Sequence, residues 1–356
     1  MMNVRAGLTA IHTVRALAIA RGSINGAIAF AQGQGWRDAD AVVQSIKAAV
    51  HATGTDDFAT SPAAVDLAEF VRPLSLLGKL PLLRMVPPRV RTIFGTAGVQ
   101  AYWTGERGWR PASRMSFSAG DTLNPLSVTA LLVITEELAR SVDGEGVMSR
   151  DLGAAVGAAI DAAFIDPTNS GISGEKPASV TSGVTALHST GSTVAAVDAD
   201  LQLLVKALAD AGSDLTAATF ILLPRTAIAL AGLRDSNGTL AYPGMTARGG
   251  TILGVPAVTT TSMPIDVGSP TTADTSIVLL DQAQIAVADA GVSRIDVSTA
   301  AAIKMDTDPD PGSPDLNPQQ MTSMYQTHSA AAKITRALNW AVAHEGMVQV
   351  LDRVAL

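Results

Sequence analysis

Residues 101–115, AYWTGERGWRPASRM, concentrate aromatic and charged side chains in a chain that has only four tryptophans and three tyrosines. The side chains are Tyr102, Trp103, Glu106, Arg107, Trp109, Arg110 and Arg114. Flat rings beside guanidinium groups are typical of two kinds of surface: a platform on which nucleic-acid bases stack, and the hot spot of a protein–protein interface. The residue types in this segment leave both interpretations open.

Strand-like sequence flanks this segment on both sides. The stretches VRTIFGTAG and RMSFSAGDTL, residues 90–98 and 114–123, are rich in β-branched and aromatic residues, and glycines separate the runs. The pattern predicts a long two-stranded ribbon with its tip near residues 105–111. Because an isolated ribbon is marginally stable in water, we expect this one to lie on another surface.

Two amphipathic helices are predicted downstream of the ribbon. The first lies in MSRDLGAAVGAAIDAAFIDP, residues 148–167, with Ser149 as its N-cap and Pro167 as its stop. Its apolar stripe is Leu152, Val156, Ile160 and Phe164. The second is DADLQLLVKALADAG, residues 198–212, which ends at Gly212. Its apolar face is Leu201, Leu204, Val205 and Leu208.

Short β runs dominate the remainder: ATFILL, TILGVPAVTTT, SIVLLD, QIAVAD and SRIDVS, followed by MTSMYQTHSAAAKITRALNWAV and a terminal MVQVL. Helices and strands in this arrangement indicate the α+β class. The first 60 residues are rich in alanine and show no self-contained core in the sequence, which favours an arm or a removable leader.

The composition indicates a chain that hides its surface against partners. Charged residues make up 16% of the 356 residues, against roughly 25% in an average soluble domain, while apolar residues reach 47%. No apolar stretch approaches the roughly 20 continuous residues that a bilayer requires. The net charge of −7 argues against a high-affinity nucleic-acid binder. The absence of cysteine excludes disulfides and thiolate metal sites.

Phosphate-binding and hydrolytic signatures are incomplete. The stretch GGTILG, residues 249–254, has two glycines at P-loop spacing, but Val255 and Pro256 stand where a lysine and a serine or threonine are required. A β-turn is the better interpretation. There is no G-x-S-x-G elbow, and no local group joins serine, histidine and aspartate. We therefore assign no catalytic residue and no cofactor.

Metal-binding signatures are also incomplete. Asp306, Asp308 and Asp310 alternate as in a calcium loop, but Pro311 occupies the sixth position and Asn317 the twelfth. The histidines are His12, His51, His188, His328 and His344. They show no HxxxH or HExxH spacing, so no metal site is assigned.

Charge decides how residues 101–115 are interpreted. Between Pro87 and Gly120 five arginines stand against one acid, Glu106. Such a stretch can stack bases, but arginine, tryptophan and tyrosine are also the residue types enriched in interface hot spots. In a chain of net negative charge and low charge density, the protein interface is favoured.

Several long stretches occur in the order known from one protein family. They are AYWTGERGWRPASRMSF with LNPLSVTALLVITEELARSV, AAIDAAFIDP with PASVTSGV, LLPRTAIALAGLRDSNGTLAYPGMTARGGTILGVPAVTTTSMP, and QQMTSMYQTHSAAAKITRALNW. Over roughly residues 62–356 the chain resembles the major capsid proteins of tailed bacteriophages with the HK97 fold.

The resemblance implies a fold of four named parts: an N-terminal arm, an extended β-hairpin called the E-loop, a peripheral (P) domain with a long spine helix and a β-sheet, and an axial (A) domain. The implied boundaries are 1–61 for the N-terminal arm or leader, 62–87 and 128–185 for the P domain with its spine helix at about 149–165, 88–127 for the E-loop, 186–285 for the A domain, and 286–356 for the C-terminal strands of the P domain.

The resemblance also implies a function. It predicts a structural, non-enzymatic protein that self-assembles as hexamers and pentamers into an icosahedral shell around double-stranded phage DNA, with the E-loop residues gripping a neighbouring subunit. Further expected partners are the portal and scaffold, prohead protease or decoration proteins; DNA contact should be non-specific, and no membrane is involved. Assembly is expected in the host bacterial cytoplasm, and the final location is the virion. The alternatives are an encapsulin-like compartment and, from a different class, a nucleic-acid-binding protein or enzyme that uses the Trp/Arg ribbon.

One departure from the family has a chemical consequence. Some members join their subunits by an isopeptide bond between an E-loop lysine and an asparagine of a neighbour. This chain has no lysine between Lys79 and Lys176, so the ribbon lacks the amine that the reaction needs. We therefore expect a shell that is held non-covalently.

Overall fold

The structure of the chain, a computed structural model, describes residues 7–21, 23–51, 62–63, 66, 75–97, 116–135, 137, 144–264, 275–304 and 321–354. The chain divides into two compact units. The first comprises Met1–Pro81, Ser127–Ala163 and Gly291–Ala337, and the second comprises Leu82–Leu126, Phe164–Ala290 and Leu338–Leu356. Helices and strands occur in both, which confirms the predicted α+β class.

The helices of the described residues are α1 (Leu8–Ile19), α2 (Ile24–Gly33), α3 (Ala39–His51), α4 (Leu76–Lys79), α5 (Gly144–Ile165), α6 (Val194–Asp210) and α7 (Pro224–Gly232). The strands are β1 (Arg84–Met85), β2 (Arg91–Ala97), β3 (Ser116–Thr122), β4 (Leu126–Thr135), β5 (Leu187–His188), β6 (Ala218–Leu222), β7 (Met245–Thr246), β8 (Gly249–Ile252), β9 (Val255–Thr259), β10 (Thr275–Asp281), β11 (Ile285–Ser298), β12 (Ala302–Lys304), β13 (Met321–Ser323), β14 (Ser329–Val342) and β15 (Val348–Val354).

Helices α1, α2 and α3 pack around a small apolar core of their own. The buried members of this core are Ala16, Ala27, Ala31, Val42 and Ile46. The expectation that the first 60 residues lack a self-contained core was therefore wrong. Alanine side chains let the helices approach closely, and the indole of Trp36 closes the cluster by stacking on His12 with ring centroids 4.1 Å apart. The Asp38 carboxylate fixes the same imidazole, with both oxygens 2.9 Å from Nδ1.

The predicted spine helix is α5, which begins at Gly144 rather than at about residue 149. The prediction that Ser149 caps it was wrong, because Ser149 lies inside the helix. No proline stands between Gly144 and Ser149, so nothing in the sequence forces a start at the serine. The apolar stripe is confirmed at Val156, Ile160 and Phe164, which are buried.

A buried carboxylate on α5 anchors the segment that precedes β1. The backbone N–H of Leu76, the first residue of α4, donates to Oδ1 of Asp161 at 2.6 Å. An acceptor at a helix N-terminus satisfies a backbone donor that has no partner within the helix. Asp161 therefore holds α4 against the spine helix.

A seven-stranded sheet of the second unit has the order β5-β15-β10-β6-β9-β8-β7 among the described strands. All five residues of the central strand β6 are buried. The register pairs Phe220 with Leu279 of β10 in antiparallel fashion and with Ala257 of β9 in parallel. Strand β15 of the C-terminal segment belongs to this sheet through its pairing with β10.

Helix α6 supplies the apolar layer of the second unit's core. Leu201, Leu204 and Leu208 are fully buried, which confirms three positions of the predicted face, and Val205 packs against the same cluster. The helix begins at Val194, one turn before the predicted start, because the hydroxyl of Thr193 accepts a hydrogen bond from the N–H of Ala196.

The ribbon predicted on both sides of residues 101–115 is present at its base. Strands β2 and β3 pair in antiparallel fashion, with Phe94 opposite Ser118 and Ala97 opposite Ser116. A four-stranded sheet of the described strands has the order β1-β11-β14-β4. The runs 284–289 and 293–298, predicted as separate, form the single strand β11, because the intervening Gly291 weakens a strand without ending it.

Candidate assembly surfaces

The side chains predicted to grip a neighbouring subunit lie outside the described residues. They are Tyr102, Trp103, Glu106, Arg107, Trp109, Arg110 and Arg114. The strands that frame them are described: Ala97 and Ser116 face each other in the β2–β3 ladder, so residues 98–115 join two adjacent strand ends. Their role in assembly therefore remains a prediction that rests on the sequence.

The second unit exposes large apolar side chains beside the ribbon. Leu82, Met85 and Val90 are 53%, 52% and 48% exposed, all within nine residues of sequence. No surface was predicted there from the sequence. The available signal was the set of basic residues placed among apolar ones in PLLRMVPPRVR, residues 81–91.

Further exposed apolar side chains occur on the helices and loops around the seven-stranded sheet. They are Leu203, Ile228, Leu240 and Leu253. All four lie within residues 186–285, the predicted A domain. The exposure agrees with the low charge density noted in the sequence.

A cleft of about 650 Å³ lies at the start of α6, where Asp198 and Tyr242 meet the loop of Arg234 and Asp235. The Tyr242 hydroxyl donates to Oδ1 of Asp198 at 3.4 Å. Burial first, and then the charge and hydrogen bond of Asp198, raise the pKa of Tyr242 to about 12. The phenol therefore stays protonated and acts as a hydrogen-bond donor across the ordinary pH range.

The loop on the rim of this cleft is fixed by local hydrogen bonds. Oδ1 of Asp235 accepts from the N–H groups of Asn237 and Thr239, each at 2.9 Å. The Arg234 guanidinium donates to the carbonyl oxygen of Gly238 at 2.8 Å, and Gly238 takes the left-handed φ of 81° that the turn requires. The loop is thus preorganised as a protruding turn.

A buried carboxylate orders the entry to α6. Asp200 accepts hydrogen bonds from Ser189 Oγ at 3.1 Å and from both the N–H and the hydroxyl of Thr190 at 2.8 Å. The neighbouring His188 lies on the sheet edge with Nδ1 2.5 Å from Oδ1 of Asp352. This cluster positions the loop that leads into α6.

A second concavity, a groove of about 530 Å³, runs beside the loop of residues 169–181. The Asn169 amide holds this loop, donating to the carbonyl oxygen of Pro177 at 2.9 Å, and its Oδ1 accepts from the N–H of Gly171 at 3.2 Å. Ile172 is exposed at the tip of the loop. The groove lining mixes amide, hydroxyl and apolar groups without a cluster of charge.

The described residues form no site from the incomplete phosphate-binding and metal-binding signatures of the sequence. Gly249 and Gly250 lie in strand β8, and the turn follows them at Leu253 and Gly254. Asp306, Asp308 and Asp310 lie outside the described residues. Within the described part of the chain, no group of three or more histidine, aspartate or glutamate side chains could hold a metal ion. In that same part, no helix is long and apolar enough to cross a membrane.

A protein-family model and a curated relative both match most of the chain. The sequence model described as "Phage capsid family" matches residues 83–337, which include the ribbon, the spine helix and the seven-stranded sheet up to β10. A curated relative, the "Capsid polyprotein" of Pseudomonas phage PAJU2, is 32% identical over 323 residues, covering 86% of this chain. The alignment covers 47% of that relative, so the chain spans about half of its length.

Solved structures share the fold at low sequence identity. A structure from Gordonia phage Cozz has a TM-score of 0.50 at 17% identity and covers 81% of this chain and 86% of its own. The "Capsid of empty GTA particle computed with C5 symmetry" has a TM-score of 0.50 at 16% identity, with 77% and 88% covered. Mycobacterium phage Ogopogo gives 0.50 at 17% identity, with 78% and 91% covered.

These likenesses confirm the HK97-like capsid fold predicted from the collinear motifs. They favour neither the encapsulin-like compartment nor the nucleic-acid-binding or enzymatic alternative. The chain therefore belongs to the phage capsid family.

Proposed function

We propose that this chain self-assembles, as hexamers and pentamers, into an icosahedral shell that encloses double-stranded phage DNA. The observation that carries the proposal is the family match over residues 83–337, which spans the ribbon, the spine helix and most of the seven-stranded sheet in one continuous alignment. Low charge density and exposed apolar side chains in the second unit support burial against copies of the same chain.

The E-loop is the segment proposed to bind the neighbouring subunit. The antiparallel β2–β3 ribbon supports residues 98–115, and a ribbon of two strands needs a surface beneath it. Trp103 and Trp109 would supply the large buried anchors of such a contact, and Arg107, Arg110 and Arg114 its charged hydrogen bonds. The proposed domain boundaries are those implied by the family resemblance, except for β15: it was predicted within the P domain, but it pairs with β10 in the seven-stranded sheet that holds the strands of the predicted A domain.

The shell is proposed to hold together without covalent links between subunits. The ribbon carries arginine but no lysine, and arginine does not form an isopeptide bond with asparagine. Mature particles boiled in denaturant should therefore run as a single monomer band. A ladder of covalent multimers would contradict this part of the proposal.

Contact with packaged DNA is proposed to be weak and independent of sequence. The chain carries a net charge of −7, and phosphate contacts rely on clustered lysine and arginine. The portal, and scaffold, prohead protease or decoration proteins, are further proposed partners. Assembly is proposed to take place in the host bacterial cytoplasm.

The test replaces both E-loop tryptophans. The double variant Trp103→Ala, Trp109→Ala should fold, with an unchanged circular dichroism spectrum, but should yield few particles in a sucrose gradient. Tyr325→Ala, an exposed aromatic outside the ribbon, is the matched control and should assemble normally. Normal particles from the double variant would overturn the gripping role of the E-loop.

A further inference from the structure

Asparagine is followed by glycine at two places in the sequence, Asn25–Gly26 and Asn237–Gly238. An asparagine side chain is chemically least stable in this context, because glycine has no Cβ to shield the backbone nitrogen that attacks the amide. Both pairs are exposed. The first lies in helix α2, and the second lies in the turn that forms the rim of the cleft beside Tyr242.

The reaction open to such a pair is intramolecular deamidation. The glycine nitrogen gives up its proton to a solvent base and attacks Cγ of the asparagine. A five-membered succinimide closes, and the side-chain nitrogen leaves as ammonia with a proton taken from solvent. Water then adds to one of the two ring carbonyls and opens the ring. The product is aspartate, or isoaspartate, in which the backbone runs through the former side chain. Water is the only co-reactant.

In the turn of residues 235–239 the attacking nitrogen is occupied. The N–H of Gly238 donates to the carbonyl oxygen of Asp235 at 3.0 Å. The N–H groups on either side of it, those of Asn237 and Thr239, both donate to Oδ1 of Asp235 at 2.9 Å. The N–H of Asp235 donates to the carbonyl oxygen of Thr239 at 2.9 Å. Asp235 therefore takes part in every one of these hydrogen bonds.

The peptide group between Asn237 and Gly238 must rotate before the nitrogen reaches Cγ. The Arg234 guanidinium opposes this rotation, since it donates to the carbonyl oxygen of Gly238 at 2.8 Å. Gly238 is also fixed at a φ of 81° by the closed turn. The reaction is therefore blocked for as long as the turn keeps its hydrogen bonds.

The turn is nevertheless easy to open. All residues from 234 to 240 are exposed, so the segment buries no side chain of its own. Segments with few buried contacts open locally at a small fraction of the free energy of global unfolding. Opening here costs little more than the hydrogen bonds to Asp235, and these bonds set how often Asn237 becomes reactive.

The Asn25–Gly26 pair is held by a larger structure. It lies in the first turn of α2, where the N–H of Gly26 donates to Oγ of the N-cap Ser23 at 3.3 Å. The same helix contributes Ala27 and Ala31 to the buried core of α1, α2 and α3. Releasing this pair therefore requires loss of helix and core contacts, which is a costlier opening than that of an exposed turn.

We propose that Asn237 is the deamidation site of the folded subunit and that Asp235 sets its rate by holding the turn closed. Conversion adds a negative charge to the rim of the cleft. The isoaspartate product also lengthens the backbone, so that the hydrogen bonds of the turn no longer fit. The rim thereby changes charge and shape as the folded subunit ages. The inference concerns the folded chain itself and does not rest on the proposed shell.

Peptide mass spectrometry of the full chain, incubated for weeks in mildly alkaline buffer, tests the assignment. In the folded unaltered chain, replacement of the side-chain amide by a carboxyl group should accumulate at Asn237 and not at Asn25. In concentrated urea both pairs should convert at similar rates, since neither keeps its hydrogen bonds. The rate at Asn237 should then exceed its rate in the folded chain by about tenfold or more.

Three variants isolate the role of Asp235, with circular dichroism to show that each folds. Asp235→Ala removes both side-chain hydrogen bonds and should accelerate conversion at Asn237 by about tenfold, without acceleration at Asn25. Asp235→Asn keeps an acceptor oxygen and should stay close to the unaltered rate. Asp214→Ala is the matched control: its carboxylate accepts from the N–H of Thr216 at 3.0 Å in another turn of the same unit, and its removal should leave the rate at Asn237 unchanged.

Each result supports or contradicts one part of the proposal. Conversion of Asn237 as fast in the folded chain as in urea would refute protection by the turn. An unaccelerated Asp235→Ala chain, or equal acceleration in Asp235→Asn, would refute the role of the Asp235 hydrogen bonds. Conversion at Asn25 ahead of Asn237 in the folded chain would overturn the choice of site.

Discussion

The indole ring of Trp340 stands edge-on against the phenyl ring of Phe164, with centroids 5.3 Å apart and planes inclined at 73°. Phe164 lies in the last turn of the spine helix, and Trp340 lies near the end of β14. The indole N–H also donates to the carbonyl oxygen of Ala178 at 2.7 Å. One side chain thus ties the helix end, the following loop and the C-terminal strand together within the second unit.

Replacing Trp340 should separate its two contributions. Trp340→Ala removes a buried ring and should lower the free energy of unfolding of the subunit by about 3–5 kcal/mol. Trp340→Phe keeps most of the packing but leaves the Ala178 carbonyl without this donor, so it should cost about 1–2 kcal/mol. Urea denaturation followed by circular dichroism measures both; equal losses in the two variants would show that the ring packing contributes little.

Gly249 should resist substitution for a reason unrelated to phosphate. Its φ is 104°, and a Cβ there would collide with the carbonyl oxygen of Ala257 on the paired strand β9. Gly249→Ala should therefore destabilise the subunit by about 3 kcal/mol. Gly232→Ala is the matched control, since a Cβ at that helical position meets nothing within 4 Å and should stabilise by up to about 1 kcal/mol. Thermal unfolding measures the stability of both variants. If Gly249→Ala is as stable as the unaltered chain, the register between β8 and β9 would be contradicted.

The Asp200 carboxylate should be a structural requirement of the α6 entry. Asp200→Ala leaves the Ser189 and Thr190 donors without their acceptor and should cost about 2–3 kcal/mol of unfolding free energy. Asp210→Ala, an exposed carboxylate at the other end of the same helix, should change stability by less than about 0.5 kcal/mol. Exchange of the Thr190 amide hydrogen should accelerate in Asp200→Ala and not in Asp210→Ala. An unaltered rate in Asp200→Ala would contradict the role of Asp200 in holding this loop.

Alkaline pH should weaken the second unit through Tyr242. Its pKa is raised from 10.0 to about 12 in the folded chain, so between those pH values the folded state holds a proton that the unfolded state has lost. Stability from this group is complete below about pH 10 and declines as the pH rises toward 12, by at most about 2–3 kcal/mol. Tyr242→Phe should flatten that decline in urea denaturation between pH 9 and pH 11.5. The exposed Tyr325 provides the control Tyr325→Phe, which should leave the slope unchanged; equal slopes in all three chains would contradict the linkage.

The parts of the fold that sequence predicts well are those where one face is apolar and regular. The stripe of Val156, Ile160 and Phe164 and the face of Leu201, Leu204 and Leu208 each follow a helical period, and each is buried. The boundaries were harder to predict. Ser149 is a good N-cap residue, but the preceding residues continue the helix, and Thr193 caps α6 earlier than the apolar pattern suggests.

The features that sequence could not predict arise from packing between segments. Ala16, Ala27 and Ala31 are buried because α1 and α2 pack together with α3. No periodic pattern of large apolar side chains in the sequence predicts this core. The exposure of Leu82 and Met85 is likewise evident only from the structure, in which Leu83 between them is buried. For residues 101–115, the composition indicates an interface, but a neighbouring subunit is what would complete it.

Electron microscopy of the purified chain, at assembly concentration and without other phage proteins, tests the central claim most directly. The proposed function predicts closed shells, or hexameric and pentameric capsomers, built from this chain alone and stable without covalent links. A monodisperse monomer at every concentration tested, particularly one that binds oligonucleotides tightly at moderate salt, would contradict the account and restore the nucleic-acid interpretation of the Trp/Arg ribbon.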